Sequence, residues 1–195
     1  MQWMKKSALI MLLSSSLMLT GCGYNTMQVK DEAVTAAWSE VQNQYQRRAD
    51  LVPNLVNVVK GYAKHEEQVL TEVTQARANV SSIKVDKEVL EDPALFKKYQ
   101  EAQDQLSTAL KSLLMVQESY PDLKANEQFR DLQVQLEGTE NRIAVARNRY
   151  ITTVQDYNAY VRQFPQVMTA KVIGMHTKPN FSAEQSAQSA PKVSF

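Results

Sequence analysis

The sequence predicts an all-α protein, an antiparallel bundle of four helices. Three observations predict it. From Val34 onward, apolar residues recur at alternating steps of three and four, the spacing of one helix face, and period-two strand alternation does not fit them. The chain holds only 5 Gly and 6 Pro in 195 residues, too few for the tight turns of an all-β protein. The gaps between apolar stripes carry the capping and proline chemistry that starts and stops helices.

The first stripe is Val34, Trp38, Val41, Tyr45 and Arg48, which predicts a helix over about 31–49. The second runs Val52, Leu55, Val59, Tyr62, Glu66, Val69, Val73, Ala76 and Val80, which predicts 51–80. Between them stands Asp50-Leu51-Val52-Pro53. Asp50 suits a cap, and Pro53 is tolerated in a first turn. The seam nevertheless keeps its phase across this point, so one long helix kinked at Pro53 is the alternative. Such a helix would run ~75 Å while the next covers only ~40 Å. Four antiparallel segments bury their faces better.

The third stripe, Leu95 to Tyr120, predicts a helix over about 93–119, with Asp92 as cap and Pro93 in the first turn. The fourth, Phe129 to Phe164, predicts about 125–163, ended by Phe164-Pro165. The bundle is expected over 31–181. Residues 182–195, rich in Ser, Ala, Gln and Pro, are expected to be flexible.

The N-terminus has a different character. Lys5 and Lys6 precede an uncharged, largely apolar run from Ala8 to Leu19. This run is shorter than the ~20 residues of a spanning helix and has the parts of a secretory signal. Its end, Leu19-Thr20-Gly21-Cys22, resembles the bacterial lipobox. The resemblance implies a signal peptide over 1–21, cleavage before Cys22, lipid on that thiol and an anchor linker over 22–30. Stable anchoring takes two or more acyl chains. An uncleaved membrane helix with an incidental Cys is the competing reading. Gly23, where Asp would favour the inner membrane, implies the periplasmic face of the outer membrane in a Gram-negative cell. Otherwise the protein is expected on the outer face of the cell membrane.

Charge and chemistry narrow the function. Lys5 and Lys6 are the only charges in the first 21 residues, leaving 20 basic and 21 acidic side chains, so no bulk charge points to nucleic acid. His65 and His176 are the only histidines. His65-Glu66-Glu67 lacks the second His of a zinc protease helix, and no nucleophile elbow or phosphate loop is present. The sole Cys is the lipid site. No catalytic residue, metal or cofactor is therefore expected.

Several polar features remain. Arg48 and Glu66 occupy seam positions, which suggests either an internal polar site or structural ion pairs. On the fourth helix, with Ile143 facing the core, Glu137, Asn141 and Asn148 fall on the far side with small Ala144 between them. That stripe suits a partner's close approach or plain solvent. Tyr150, Tyr157 and Tyr160 read as core packing, or less simply as a ligand platform. Val193 and Phe195 place two apolar side chains beside a free carboxylate. Such an end suits a C-terminus-binding, PDZ-like envelope partner.

Long blocks of the chain resemble one family. They are Ala37-Trp38-Ser39, Arg47-Arg48-x-Asp50-Leu51-Val52-Pro53-Asn54-Leu55-Val56 and Val59-Lys60-Gly61-Tyr62-Ala63-x-His65-Glu66. Tyr120-Pro121-Asp122-Leu123-Lys124-Ala125-Asn126 and Leu136-Glu137-Gly138-Thr139-Glu140-Asn141-Arg142-Ile143-Ala144, then Ala146-Arg147-x-x-Tyr150, complete the set. Together they resemble the LemA family over roughly 24–181. The resemblance implies a helical bundle of four helices, anchored near its N-terminus outside the cytoplasm. It carries over no catalytic residues. Many members look anchored by a membrane helix, whereas here a lipobox stands in that place. The expected function is a membrane-anchored, non-catalytic interaction module or scaffold. The alternative is a bundle that binds a small ligand or envelope polymer in a pocket between helices.

Overall fold

The computed structural model describes residues 2–85 and 87–182, with side chains from Gly23 onward except at Lys87. Among these residues six α-helices follow in order: α1 (Gln2–Tyr62), α2 (Glu67–Ser82), α3 (Pro93–Met115), α4 (Pro121–Ala125), α5 (Glu127–Arg162) and α6 (Gln166–Ile173). Short 3₁₀ turns cover Lys87–Leu90 and Val116–Glu118. No strand occurs among the described residues. Among them, too, no helix is long and apolar enough to cross a membrane.

The break between the first two predicted helices lies elsewhere. The chain does not divide at 49–51, nor does one helix run to 80. Instead α1 passes through Pro53 and ends at Tyr62, and the reversal is Ala63–Glu66. The proline is accommodated by a specific partner. Pro53 has no N–H for the Ala49 carbonyl four residues back. Arg77 of α2 supplies the missing donor, its Nε lying 3.0 Å from the Ala49 oxygen. Gly61 and Lys60 sit in the last turn of α1, where weak helix propensity and a cation suit a C-terminus. The turn closes with Ala63 N–H on the Val59 carbonyl and Glu66 N–H on the Ala63 carbonyl. The seam keeps its phase there because α2 folds straight back against the same core.

The start of α3 and the end of α5 follow the predicted chemistry. Asp92 Oδ1 accepts from the N–H groups of Ala94 (2.8 Å) and Leu95 (3.2 Å), with Pro93 next to it. Asn126 Oδ1 caps α5 by accepting from Phe129 N–H at 2.8 Å.

Cross-links fix the packing directions. Arg77 to Ala49 and Gln42 to the Val85 carbonyl set α2 antiparallel to α1. Trp38 against Phe96 and Tyr99, then Arg48 against Gln103 and Ser107, set α3 parallel to α1. Asn126 to Tyr62, Arg48 to Glu140, Arg142 to Gln44 and Tyr160 to the Gly23 carbonyl set α5 antiparallel to it. The result is four long helices around one apolar core.

After α6 the chain does something the apolar periodicity did not announce. Gly174 adopts a left-handed conformation (φ 74°) as the α6 C-cap, which turns the chain back. Residues 175–182 then run along α5 as a strap. Tyr157 Oη donates to the His176 carbonyl at 3.0 Å, and Tyr150 Oη to the Pro179 carbonyl at 2.9 Å. Asn158 grips the Lys178 peptide twice, donating to its carbonyl (2.9 Å) and accepting from its N–H (2.8 Å). Lys178 Nζ pairs with Asp31 on α1 at 2.9 Å. The strap delivers Phe181 into an aromatic cluster, 5.1 Å from Phe96, 5.4 Å from Tyr150 and 6.2 Å from Trp38 between ring centres.

Candidate functional site

Where the strap ends, a groove of about 890 Å³ begins between α3 and α5. Tyr45 and Arg48 of α1 form its floor. Asp104, Ser107, Leu110 and Lys111 line the α3 wall. The α5 wall carries Glu137, Glu140, Asn141, Ala144, Arg147 and Asn148. Phe181 and Ser182 stand at one end.

The floor is built around a buried cation. Arg48 is only 1% exposed. Its Nη1 donates to Ser107 Oγ at 2.5 Å and to Glu140 at 3.2 Å, and its Nη2 donates to the Gln103 carbonyl at 3.2 Å and to Gln103 Oε1. One side chain of α1 thus reaches both walls. Gln103 is in turn oriented by its Nε2 donating to Tyr99 Oη at 2.8 Å. The seam position that would carry an aliphatic side chain instead carries a brace, and a brace spans the space that packing would fill.

Two buried polar atoms on this floor have no hydrogen-bond partner among the described residues: Tyr45 Oη and Arg48 Nε. Burial pushes the Tyr45 hydroxyl up to about 12, against the lowering pull of the nearby Arg147 and Arg48 cations. The hydroxyl therefore stays protonated and able to donate at any ordinary pH. Arg147 pairs with Asp104 across the groove at 3.8 Å and lies 4.4 Å over the Phe181 ring. Lys111 makes no ion pair, and Asn141 and Asn148 make no side-chain hydrogen bond, among the described residues. Among the described residues the lining holds three cations and three carboxylates, which balance. Adjacent donors, acceptors and small side chains suit a polar, extended occupant better than a strongly charged one.

The groove brings together Arg48, Glu137, Asn141, Ala144 and Asn148, predicted on separate grounds from two helices. Glu66 is not part of it. It begins the α2 end of the α1–α2 turn, half-buried, and accepts from Tyr120 Oη at 3.0 Å, which pushes the Tyr120 hydroxyl upward. That is a structural tie. Tyr150 and Tyr157 are buried with their hydroxyls committed to strap carbonyls, and Tyr160 reaches the Gly23 carbonyl, so the three do not form an open platform. The Cys22 side chain, Val193 and Phe195 lie outside the described residues. Among the described residues, no group of three His, Cys, Asp or Glu is placed to hold a metal ion.

Lys111, Arg147 and Phe181 are groove residues that periodicity did not single out. Arg147 stood in the motif block Ala146-Arg147-x-x-Tyr150, and Phe181 carried a weaker signal, as a lone aromatic in a polar run after Pro179.

Comparison with known proteins agrees with the motif blocks. The chain is 23% identical over 161 residues to Protein LemA of Metamycoplasma hominis, an alignment covering 83% of this chain and 69% of that one. The profile of the LemA family matches residues 37–195, which includes the groove, the strap and the Arg48 brace. The chain belongs to the LemA family.

Proposed function

We propose that this protein is a membrane-anchored, non-catalytic interaction module of the cell envelope, and that the α3–α5 groove is its binding surface. The observation that carries the reading is the open stripe of Asn141, Ala144 and Asn148 beside a floor with unsatisfied buried donors. Buried polar groups without partners are uncommon, and a binding surface is one place where they find them. Lipid on Cys22 would hold the bundle at the membrane. The expected place is the periplasmic face of the outer membrane in a Gram-negative cell, and the outer face of the cell membrane otherwise. Val193 and Phe195 remain offered to a C-terminus-binding, PDZ-like envelope partner.

A second reading has its own support. A volume of about 890 Å³ lies within the usual ~300–1,000 Å³ range of ligand sites, so a small ligand or polymer segment could fill the groove. The partner reading is favoured because the same helix already holds a peptide segment in the strap.

The test is a crosslinking pull-down from intact cells with Asn141→Lys and Asn148→Lys introduced together. Two long cations should block the stripe and change the recovered partners. An identical partner list would remove the groove from consideration. The anchor is tested separately. Cys22→Ser should move the protein from the membrane fraction to the soluble fraction, and unchanged sedimentation with membranes would refute lipid anchoring.

A further inference from the structure

The stripe of α5 that lines the groove continues under the strap. Asn158, Ile151, Asn148, Ala144, Asn141 and Glu137 follow one another at steps of seven, three, four, three and four, which is one line along a helix. Two regions of this line are in different states. At Asn158 and Ile151 it is covered. Asn158 holds the Lys178 peptide by both its N–H and its carbonyl, and the Ile151 carbonyl accepts from Asn180 Nδ2 at 3.2 Å. From Asn148 to Glu137 it is bare.

The covering segment points at the bare region. Successive strap residues meet α5 at Tyr157, then Asn158 and Ile151, then Arg147 under Phe181. The Ser182 carbonyl is then fixed from the opposite wall by Gln100 of α3, whose Nε2 lies 2.9 Å away. The chain is therefore held between both walls at the mouth of the groove. Thirteen further residues, 183–195, follow Ser182.

We propose that Ala183–Ala187 of this chain occupy the groove, running antiparallel to α5 as a continuation of the strap. The proposal rests on the reading of the groove as a binding surface, and names its occupant as an extended peptide of small polar residues. Length agrees. Asn148 to Glu137 spans about 17 Å of helix, which five residues cover at ~3.3 Å each. Size agrees as well. Ala183-Glu184-Gln185-Ser186-Ala187 has no bulky apolar side chain to seat beside Ala144 and Ser107. Charge is complementary, because Glu184 is the only charge in this stretch and Lys111 on the α3 wall has no ion partner among the described residues. Asn141 and Asn148 offer the carboxamide with which Asn158 clamps the strap. An outside peptide using this groove must then displace the protein's own.

The test uses the full chain with Cys22→Ser and one cysteine pair at a time. Ser186→Cys with Glu137→Cys places a thiol on the proposed occupant and one on the far part of the groove. Ser186→Cys with Gln105→Cys is the control, since Gln105 lines a shallow recess on the α2 side of α3. Counted along the helices, Gln105 is about 8 Å from the Gln100 tether, and Glu137 about 15 Å from Arg147. A tail outside the groove would therefore favour the control pair. Under mild oxidation the Glu137 pair should close at least tenfold faster than the control. Equal rates, or a faster control, would overturn the proposal. A second measurement uses the chain ended after Ser182. It should bind a labelled peptide of residues 183–195, while the full chain should not. Equal binding or equal non-binding by the two chains would also overturn it. The outcome is separable from that of the groove itself. A slow Glu137 pair with a partner list altered by Asn141→Lys and Asn148→Lys removes the tail as occupant and keeps the groove.

Discussion

The α5 face toward α3 has two regions, and one helix closes the first and leaves the second open. From Tyr150 to Asn158 the helix meets the rings of Trp38 and Phe96 at Tyr150, and the strap completes the cluster with Phe181. From Leu136 to Asn148 the facing position on α1 is Arg48, whose guanidinium reaches Gln103, Ser107 and Glu140. Rings fill the space between helices, whereas a braced guanidinium holds helices together across a space. The difference in chemistry at two α1 positions, Trp38 and Arg48, decides where the bundle is sealed and where it can receive an occupant.

The largest expected effect comes from opening the sealed region. Phe181→Ala should cost about 3 kcal/mol in urea denaturation, the low end for a Phe truncation because the ring is half-buried. A loss under about 1 kcal/mol would mean that the strap does not seal the core. Next comes the brace. Arg48→Met leaves Gln103 and Ser107 without their donor and Glu140 without its cation. Glu140 is 41% exposed on its side chain and keeps water, so the loss should be about 2 kcal/mol, below that of a fully buried pair. Glu140→Gln should cost less than Arg48→Met if the brace works chiefly through Gln103 and Ser107.

Smaller effects sharpen the contrast. Tyr45→Phe deletes a buried hydroxyl that has no partner among the described residues, so stability near pH 7 should change by less than ~0.5 kcal/mol. The same variant has an alkaline signature. Burial pushes Tyr45 and Tyr157 up to about 12, with Asp31 and Glu91 adding to the rise at Tyr157. Unfolded tyrosine loses its proton near ~10 while the folded groups hold theirs, so the unfolded state binds fewer protons there. Stability should be full below pH ~10 and fall as pH rises through about 12. Tyr45→Phe should make that fall shallower, and an unchanged slope would place Tyr45 in a wetter site than the structure does.

Much of the fold was legible in the residues. The seams from Leu95 and Phe129, the Asp92 cap and the stop at Phe164-Pro165 required only local chemistry. The end of α1 was not legible, because the tie that tolerates Pro53 comes from Arg77, 28 residues beyond the Ala49 carbonyl it bonds. Periodicity could not mark the turn at Ala63–Glu66, since both flanking helices present the same phase to one core. In the candidate site, the stripe from Glu137 to Asn148 could be read from the helical wheel, and Arg48 from its seam position. Their meeting in one groove could not, because it depends on how far apart α3 and α5 stand. The strap was hidden for a related reason. Its bonds run from tyrosine hydroxyls and Asn158 to backbone carbonyls, which leave no apolar pattern.

Site-specific photo-crosslinking from within the bare region tests the central claim most directly. A photoreactive residue replacing Ala144 in the groove is compared in intact cells with one replacing Val145, which is 69% exposed and outside it. The account predicts abundant adducts from position 144, to the protein's own tail or to an envelope partner, and few from position 145. Equal yields from the two positions would contradict it.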